Sequence, residues 1–322
     1  MPKKAKYYTR LQAACIGDNP GHIYAIAISH QMPDPTADLT SYLIDLNLGT
    51  TPPQFKILIS GDKAMFPEYS SCFNCITKMP DGALYVGEDD GFIKYLNGKA
   101  SVFKFESHVG ISNCVYYGGG DTIFFGTSRG EVVQVKNSDF KVMLIASAAK
   151  QKSKDASVEA IHGIGPNFIV AVGESGLVSR FRKGTWERVK PPSNAHIFSV
   201  WCRSETEIYV GALRGASWRW DGESVWKKLK VDFEHADLNF YFSNITEYQG
   251  TMYAGCVEHG VYRLDGDTWV AASKILDERV CNLSVTNAGL IGLGALWGDS
   301  GSWLTRFDGT TWTTQQIHVD PG

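Results

Sequence analysis

The stretch 213–226 reads LRGASWRWDGESVW, and two later stretches repeat its grammar: HGVYRLDGDTW at 259–269 and SWLTRFDGTTW at 302–312. In each, a short apolar run ends in Asp-Gly and a tryptophan follows. Asp-Gly between apolar runs signals a two-residue β-hairpin, because its turn needs positive φ at both central positions. Working outward, the strand ahead of each such run closes on a glycine. These anchors are Gly87, Gly126, Gly173, Gly211, Gly255 and Gly294, spaced 38–47 residues apart. That period belongs to a small β unit used many times.

The rest of the unit is filled in from both sides of the anchor. A second glycine follows at Gly91, Gly130, Gly176, Gly215, Gly260 and Gly298 or Gly301. The glycine pairs are expected to supply positive φ to a tight link. Hairpin pairs then recur at Asn97-Gly98, Lys183-Gly184, Asp221-Gly222, Asp265-Gly266 and Asp308-Gly309. Ahead of the anchors lie apolar segments of strand length, such as FNCITKM (73–79), VEAIHGI (158–164) and FSVWCRS (198–204). Behind the hairpins lie more polar ones, such as TWERVK (185–190). Four strands graded from apolar to amphipathic describe a propeller blade from its inner to its outer edge.

An earlier unit lacks the glycine code but keeps four strand patterns between about 10 and 60. The sequence therefore predicts an all-β chain, a seven-bladed β-propeller of four-stranded antiparallel blades. The blades fall near 10–60, 70–106, 110–147, 156–191, 195–232, 237–276 and 279–319, in one domain over 1–322. The ring is expected to close by packing the first blade on the seventh without strand exchange, with Tyr7, Tyr8 and Thr9 free to add an edge strand.

These repeats resemble bacterial seven-bladed propellers of the WD-repeat-like and YVTN-like superfamily, over nearly the whole chain. The Trp-Asp pair of a WD repeat occurs only at Trp220-Asp221, in a turn. The DGxxW pieces at Asp221, Asp265 and Asp308 also look like degenerate Asp-boxes, without the usual residue between Asp and Gly. The resemblance implies a fold and carries over no catalytic residue. The tryptophans of these pieces are read as staples between blades.

Bulk properties narrow the function classes. The 322 residues are 43% hydrophobic and 12% aromatic, with 33 glycines, 12 prolines and a net charge of −3. That is ample apolar content for a core and no basic surplus for nucleic acid. Neither an apolar leader nor an 18-residue apolar run is present, so a cytoplasmic location away from membranes is expected. The seven cysteines lie mostly in apolar runs and read as buried thiols of a reducing compartment. Cys72-Phe73-Asn74-Cys75 stands alone, without the second pair of a zinc ribbon.

No catalytic motif emerges: there is no GxSxG elbow, P-loop or GxGxxG ahead of a helix. Neither a cofactor nor a metal is expected. His162 and His196 fall in adjoining inner strands with Glu159 nearby, and Asn74 and Asn113 near the starts of others. All five are candidates for the channel mouth, where imidazole and carboxylate can ligate or transfer protons. Loops supply candidates for partner binding: Met32, Phe66, Tyr69, Phe233, His235 and Phe240, since exposed aromatic and Met side chains make hot spots.

The expected function is that of a non-catalytic protein-binding scaffold, monomeric by itself. One form of it is an immunity or antitoxin-type protein that caps its partner. The alternatives are a carbohydrate-binding propeller, using Trp186, Trp226, Trp269 and Trp312, and a hydrolase or lyase with a channel-mouth site.

Overall fold

The computed structural model describes residues 7–19, 21–31, 40–50, 53–60, 73–105, 109–136, 139–144, 156–232, 240–256, 259–273, 280–295 and 302–317. Seven sheets follow one another along the chain. The first holds β1 (Tyr7–Ile16), β2 (His22–Gln31), β3 (Thr40–Asn47) and β4 (Gln54–Ser60). The second holds β5 (Phe73–Lys78), β6 (Leu84–Glu88), β7 (Gly91–Leu96) and β8 (Lys99–Lys104). The third holds β9 (Ser112–Gly119), β10 (Thr122–Thr127), β11 (Glu131–Lys136) and β12 (Asp139–Leu144). The fourth holds β13 (Val158–Gly163), β14 (Phe168–Gly173), β15 (Leu177–Arg182) and β16 (Thr185–Arg188). The fifth holds β17 (Ile197–Ser204), β18 (Glu207–Ala212), β19 (Ser217–Trp220) and β20 (Trp226–Lys228).

After a two-residue strand β21 (Lys230–Val231), the sixth sheet holds β22 (Phe242–Tyr248), β23 (Thr251–Cys256), β24 (Gly260–Asp265) and β25 (Thr268–Ala271). The seventh holds β26 (Val280–Thr286), β27 (Gly289–Ala295), β28 (Ser302–Phe307) and β29 (Trp312–Ile317). Among the described residues the only helical turn is a 3₁₀ turn at Glu174–Gly176, and no helix is long and apolar enough to cross a membrane.

The first strands touch one another in sequence, β1 to β5, β9, β13, β17, β22 and β26, and β26 touches β1 again. They form the inner wall of a seven-bladed propeller. Burial follows from that placement. The second strands β6, β10 and β14 are buried at every residue, because neighbouring blades cover both faces. The outer strands β8 and β16 alternate exposed and half-buried positions, since one side meets water.

The core is divided among the blade seams. One apolar cluster joins Ile23 and Ile44 of the first blade to Ile291 and Leu304 of the seventh. Another joins Val170 and Phe168 of the fourth to Val210 and Trp220 of the fifth, and each remaining seam has its own. The closing seam repeats an internal one. Leu11 N–H donates to Ser302 Oγ across blades seven and one (2.6 Å), as Phe73 N–H donates to Ser41 Oγ across blades one and two (2.9 Å). No strand is exchanged among the described residues. Tyr7, Tyr8 and Thr9 prolong β1 and pair with Gln31, His30 and Ser29 instead of forming a separate edge strand.

Blade six has its four antiparallel strands and an addition: β21, from the link after blade five, lies parallel to β25 at its outer edge. One expectation needs correction: the anchor glycines are not turn glycines. Gly173 has φ 175°, which is extended backbone. A Cβ on Gly211 would lie 2.6 Å from Phe242 Cβ and 2.6 Å from Ser199 Oγ. The anchors let one blade approach the next; positive φ is needed at hairpin positions such as Gly222 (φ +79°).

Candidate functional site

Every inner strand carries the same irregularity near its start. The register against the second strand skips one residue, at Gln12, Asn74, Asn113, Glu159, Phe198, Ser243 and Cys281. Each is a β-bulge, in blades two to seven opposite or beside the anchor glycine, and a bulge re-aims the extra side chain. Seven-fold repetition places these residues in a ring about the axis, at the rim where inter-blade links enter. Three successive amides, a carboxylate, a phenyl and a hydroxyl occupy its first six positions.

Asn74 and Asn113, expected at the channel mouth, both lie in this ring. Asn113 Nδ2 donates to Ser157 Oγ (2.7 Å) and Val158 O (3.2 Å) of the next blade. Gln12 Nε2 donates to Asn74 O (3.4 Å), while Gln12 Oε1 and Asn74 Nδ2 are buried without a partner. Asn244 and Asn282 stand one residue further along their strands, so the amides do not complete a ring.

Glu159 and His196 come together across the seam of blades four and five, with Oε1 and Nε2 3.6 Å apart. The imidazole beside it holds the Glu159 carboxyl below its ordinary range. The His196 ring is stacked on Phe198 (centroids 4.0 Å, 10° between planes), and Phe198 lies against Tyr241 (4.2 Å). The third member is Glu174, in the 3₁₀ turn after β14. One ligand atom from each of Glu159, Glu174 and His196 lies within 4.8 Å of the others. Glu174 escaped sequence reasoning because the search followed inner strands. An acid directly after an anchor glycine is the available signal.

His162 does not join them. It stands three residues deeper on β13, stacked on Trp201 (4.0 Å) with Tyr116 5.2 Å away. Its Nδ1 accepts the Cys202 N–H (3.0 Å), which fixes the tautomer with the ring neutral. Burial pulls its pKa down to about 3, so it is a neutral packing element of the seam. Cys75 is likewise buried, its thiol pushed up to about 12, while Cys72 lies outside the described residues.

Of the loop residues, Met32, Phe66, Tyr69, Phe233 and His235 lie outside the described residues. Phe240 is a correction: it is buried (4% exposed), edge-on to His259, because the chain entering β22 turns it into the seam core. The tryptophans also differ from one another. Trp269 is fully buried and donates Nε1–H to Ser217 Oγ of blade five (3.0 Å), a staple between blades. Trp186, Trp226 and Trp312 are half-buried and pack on Phe181, Trp220 and Phe307 across their own outer hairpins. Each turns one side to an aromatic neighbour of its own blade. Asp221 Oδ1 and Asp308 Oδ1 accept backbone N–H groups of their turns (2.8–2.9 Å), which lowers both carboxyl pKa values.

No protein-family model and no curated protein matches the sequence. Solved structures do match. The WD40 β-propeller domain of Doa1 superposes with a TM-score of 0.66 at 9% identity, covering 90% of this chain and 94% of that one. YCF48 from Cyanidioschyzon merolae gives 0.65 at 13% identity, covering 92% and 94%. The extracellular domain of the putative hybrid two-component system BT4673 from B. thetaiotaomicron gives 0.57 at 14%, where this chain spans 37% of that length. At such identities the likeness is one of fold: the chain is a seven-bladed β-propeller.

Proposed function

We propose that this propeller is a non-catalytic scaffold that binds a protein on the rim carrying the bulges and the inter-blade links. The observation that supports it is the difference between the two rims. Connections 32–39, 61–72, 105–111, 145–157, 189–196, 232–241, 272–279 and 296–301 all join strand ends at this rim. At the opposite rim no connection between described strands is longer than 48–53. Long connections on a rigid ring are where recognition surfaces are built, because they vary without disturbing the sheets.

Ile111 and Leu213 are exposed apolar side chains on the link-bearing rim (41% and 38%), and Arg214 beside Leu213 is exposed too. A ring face has room for a standard interface of roughly 1,600 Å². In this reading the chain is a single propeller unit that works as a cytoplasmic monomer, without nucleic acid, membrane or cofactor. In its immunity-protein form, the rim caps a toxin.

The test is co-purification from the native source and from cells co-expressing neighbouring genes. One stoichiometric partner is expected with the wild type and with Val225→Glu, an exposed site on the hairpin rim (60%). Ile111→Glu with Leu213→Glu should release it. A partner indifferent to the double substitution, or no partner at all, overturns the reading.

A further inference from the structure

We propose that Glu159, Glu174 and His196 form a binding site for one divalent transition-metal cation, of the zinc or manganese kind. The inference goes beyond the partner-binding reading and departs from the metal-free expectation of the sequence.

The donor set comes from three separate backbone segments. Glu159 is the bulge residue of β13, Glu174 opens the turn that closes β14, and His196 ends the link into β17. Backbone hydrogen bonds tie these segments together at the site. Glu174 N–H donates to Ser157 O (3.1 Å), Gly176 N–H to Ala195 O (3.1 Å), and Leu213 N–H to His196 O (3.0 Å). The ligands therefore sit on framework held in place before any ion arrives, which a metal site requires.

Supporting contacts orient the side chains. Ser157 N–H reaches Glu174 Oε2 (3.4 Å), and Ser157 Oγ is itself held by the Asn113 amide. The flat stack on Phe198 fixes the plane of the imidazole. Outer contacts of this kind set ligand direction in metal sites.

The independent sign of a missing occupant is the imidazole nitrogen. His196 Nε2 is buried and has no hydrogen-bond partner, its nearest acceptor being Glu159 Oε1 at ion-pair distance, 3.6 Å. A buried polar atom without a partner costs free energy unless something fills the gap. The surroundings add a second carboxylate, Glu174, which has no Lys or Arg ion pair among the described residues. Two carboxylates within 4.8 Å of one another repel at neutral pH, and a cation between them relieves that repulsion. A site of mixed nitrogen and oxygen donors, all half-buried, suits zinc or manganese better than calcium, which takes six to eight oxygens. Three ligands leave positions open toward the rim for water or a partner's own group. Ligand atoms up to 4.8 Å apart lie farther from one another than the about 3.4 Å that tetrahedral bonds of about 2.1 Å set, so side-chain rotation must draw them in by up to about 1.4 Å.

The experiment uses the full chain stripped with a chelator, then titrated with Zn²⁺, Mn²⁺ or Ca²⁺ while heat release and thermal midpoint are followed. One Zn²⁺ or Mn²⁺ per chain is expected, with a raised midpoint and weaker Ca²⁺ binding. Co²⁺ should give visible d–d absorption. Glu174→Gln and His196→Gln should each weaken binding by at least about 10-fold and abolish the absorption, while Asp45→Asn, at the His22–Asp45 pair on the hairpin rim, should change nothing. If His196→Gln fails to fold, Glu174→Gln decides, since its amide oxygen still accepts from Ser157 N–H. No transition-metal binding tighter than millimolar, or variants that bind as the wild type does, overturns the proposal. Neither result bears on the partner test, which uses other side chains.

Discussion

The seams between blades and the ring of bulges are built from the same inner strands, yet they differ in one respect. Seams repeat: each pairs buried aliphatic and aromatic side chains of adjoining sheets. The bulge ring repeats only in backbone register, and its occupants change from Gln12 through Glu159 to Ser243. A repeat fold thus holds its shape with what recurs and keeps its individuality where recurrence stops at the main chain. One ring member, Glu159, pairs with His196 across the seam between blades four and five.

Breaking a seam should give the largest effect. Trp269→Ala removes a fully buried indole and its bond to Ser217, and a loss of about 3–5 kcal/mol is expected. An unmoved denaturation midpoint would mean that the seams do not carry the stability assigned to them. Gly211→Ala forces a methyl against Phe242 and Ser199, and overpacking of this kind costs about 1–3 kcal/mol. The same substitution would be harmless if the anchors served only chain direction.

The smallest effect sharpens the boundary between seam and ring. Since His162 is kept neutral with its pKa near 3, the unfolded chain binds a proton there first as pH falls below about 6.5. Its contribution is therefore fully present above that pH and declines below it, toward pH 3. His162→Asn, which can keep an acceptor for the Cys202 N–H, should flatten this part of the melting-temperature profile relative to the wild type. Equal slopes would show a protonated His162, and would return it to the candidate site.

Much of the architecture could be read because hairpins have strong local chemistry. Asp221-Gly222 and Asp308-Gly309 announce turns that the structure contains, and counting them gives the blades. The reason for the anchor glycines could not be read in the same way. Gly211 is constrained by Phe242, thirty-one residues later, and a single sequence carries no sign of that approach. Bulges are equally silent, since Asn74, Glu159 and Phe198 share a position but no chemistry. Hence residue type alone points to Glu159 and His196, groups His162 with them although it packs in the seam, and does not reach Glu174. The short β21 depends on a parallel neighbour from another blade and left no local pattern.

The absence of an exchanged strand has a mechanical consequence. Six junctions of the circle are crossed by the polypeptide itself, so blades parted there remain leashed and meet again quickly. The remaining junction, where Leu11 meets Ser302, is held by packed side chains and by hydroxyl contacts such as Leu11 N–H to Ser302 Oγ and Ser284 Oγ to Ala14 O. It is the natural gap of the bracelet, and the place where thermal breathing would begin.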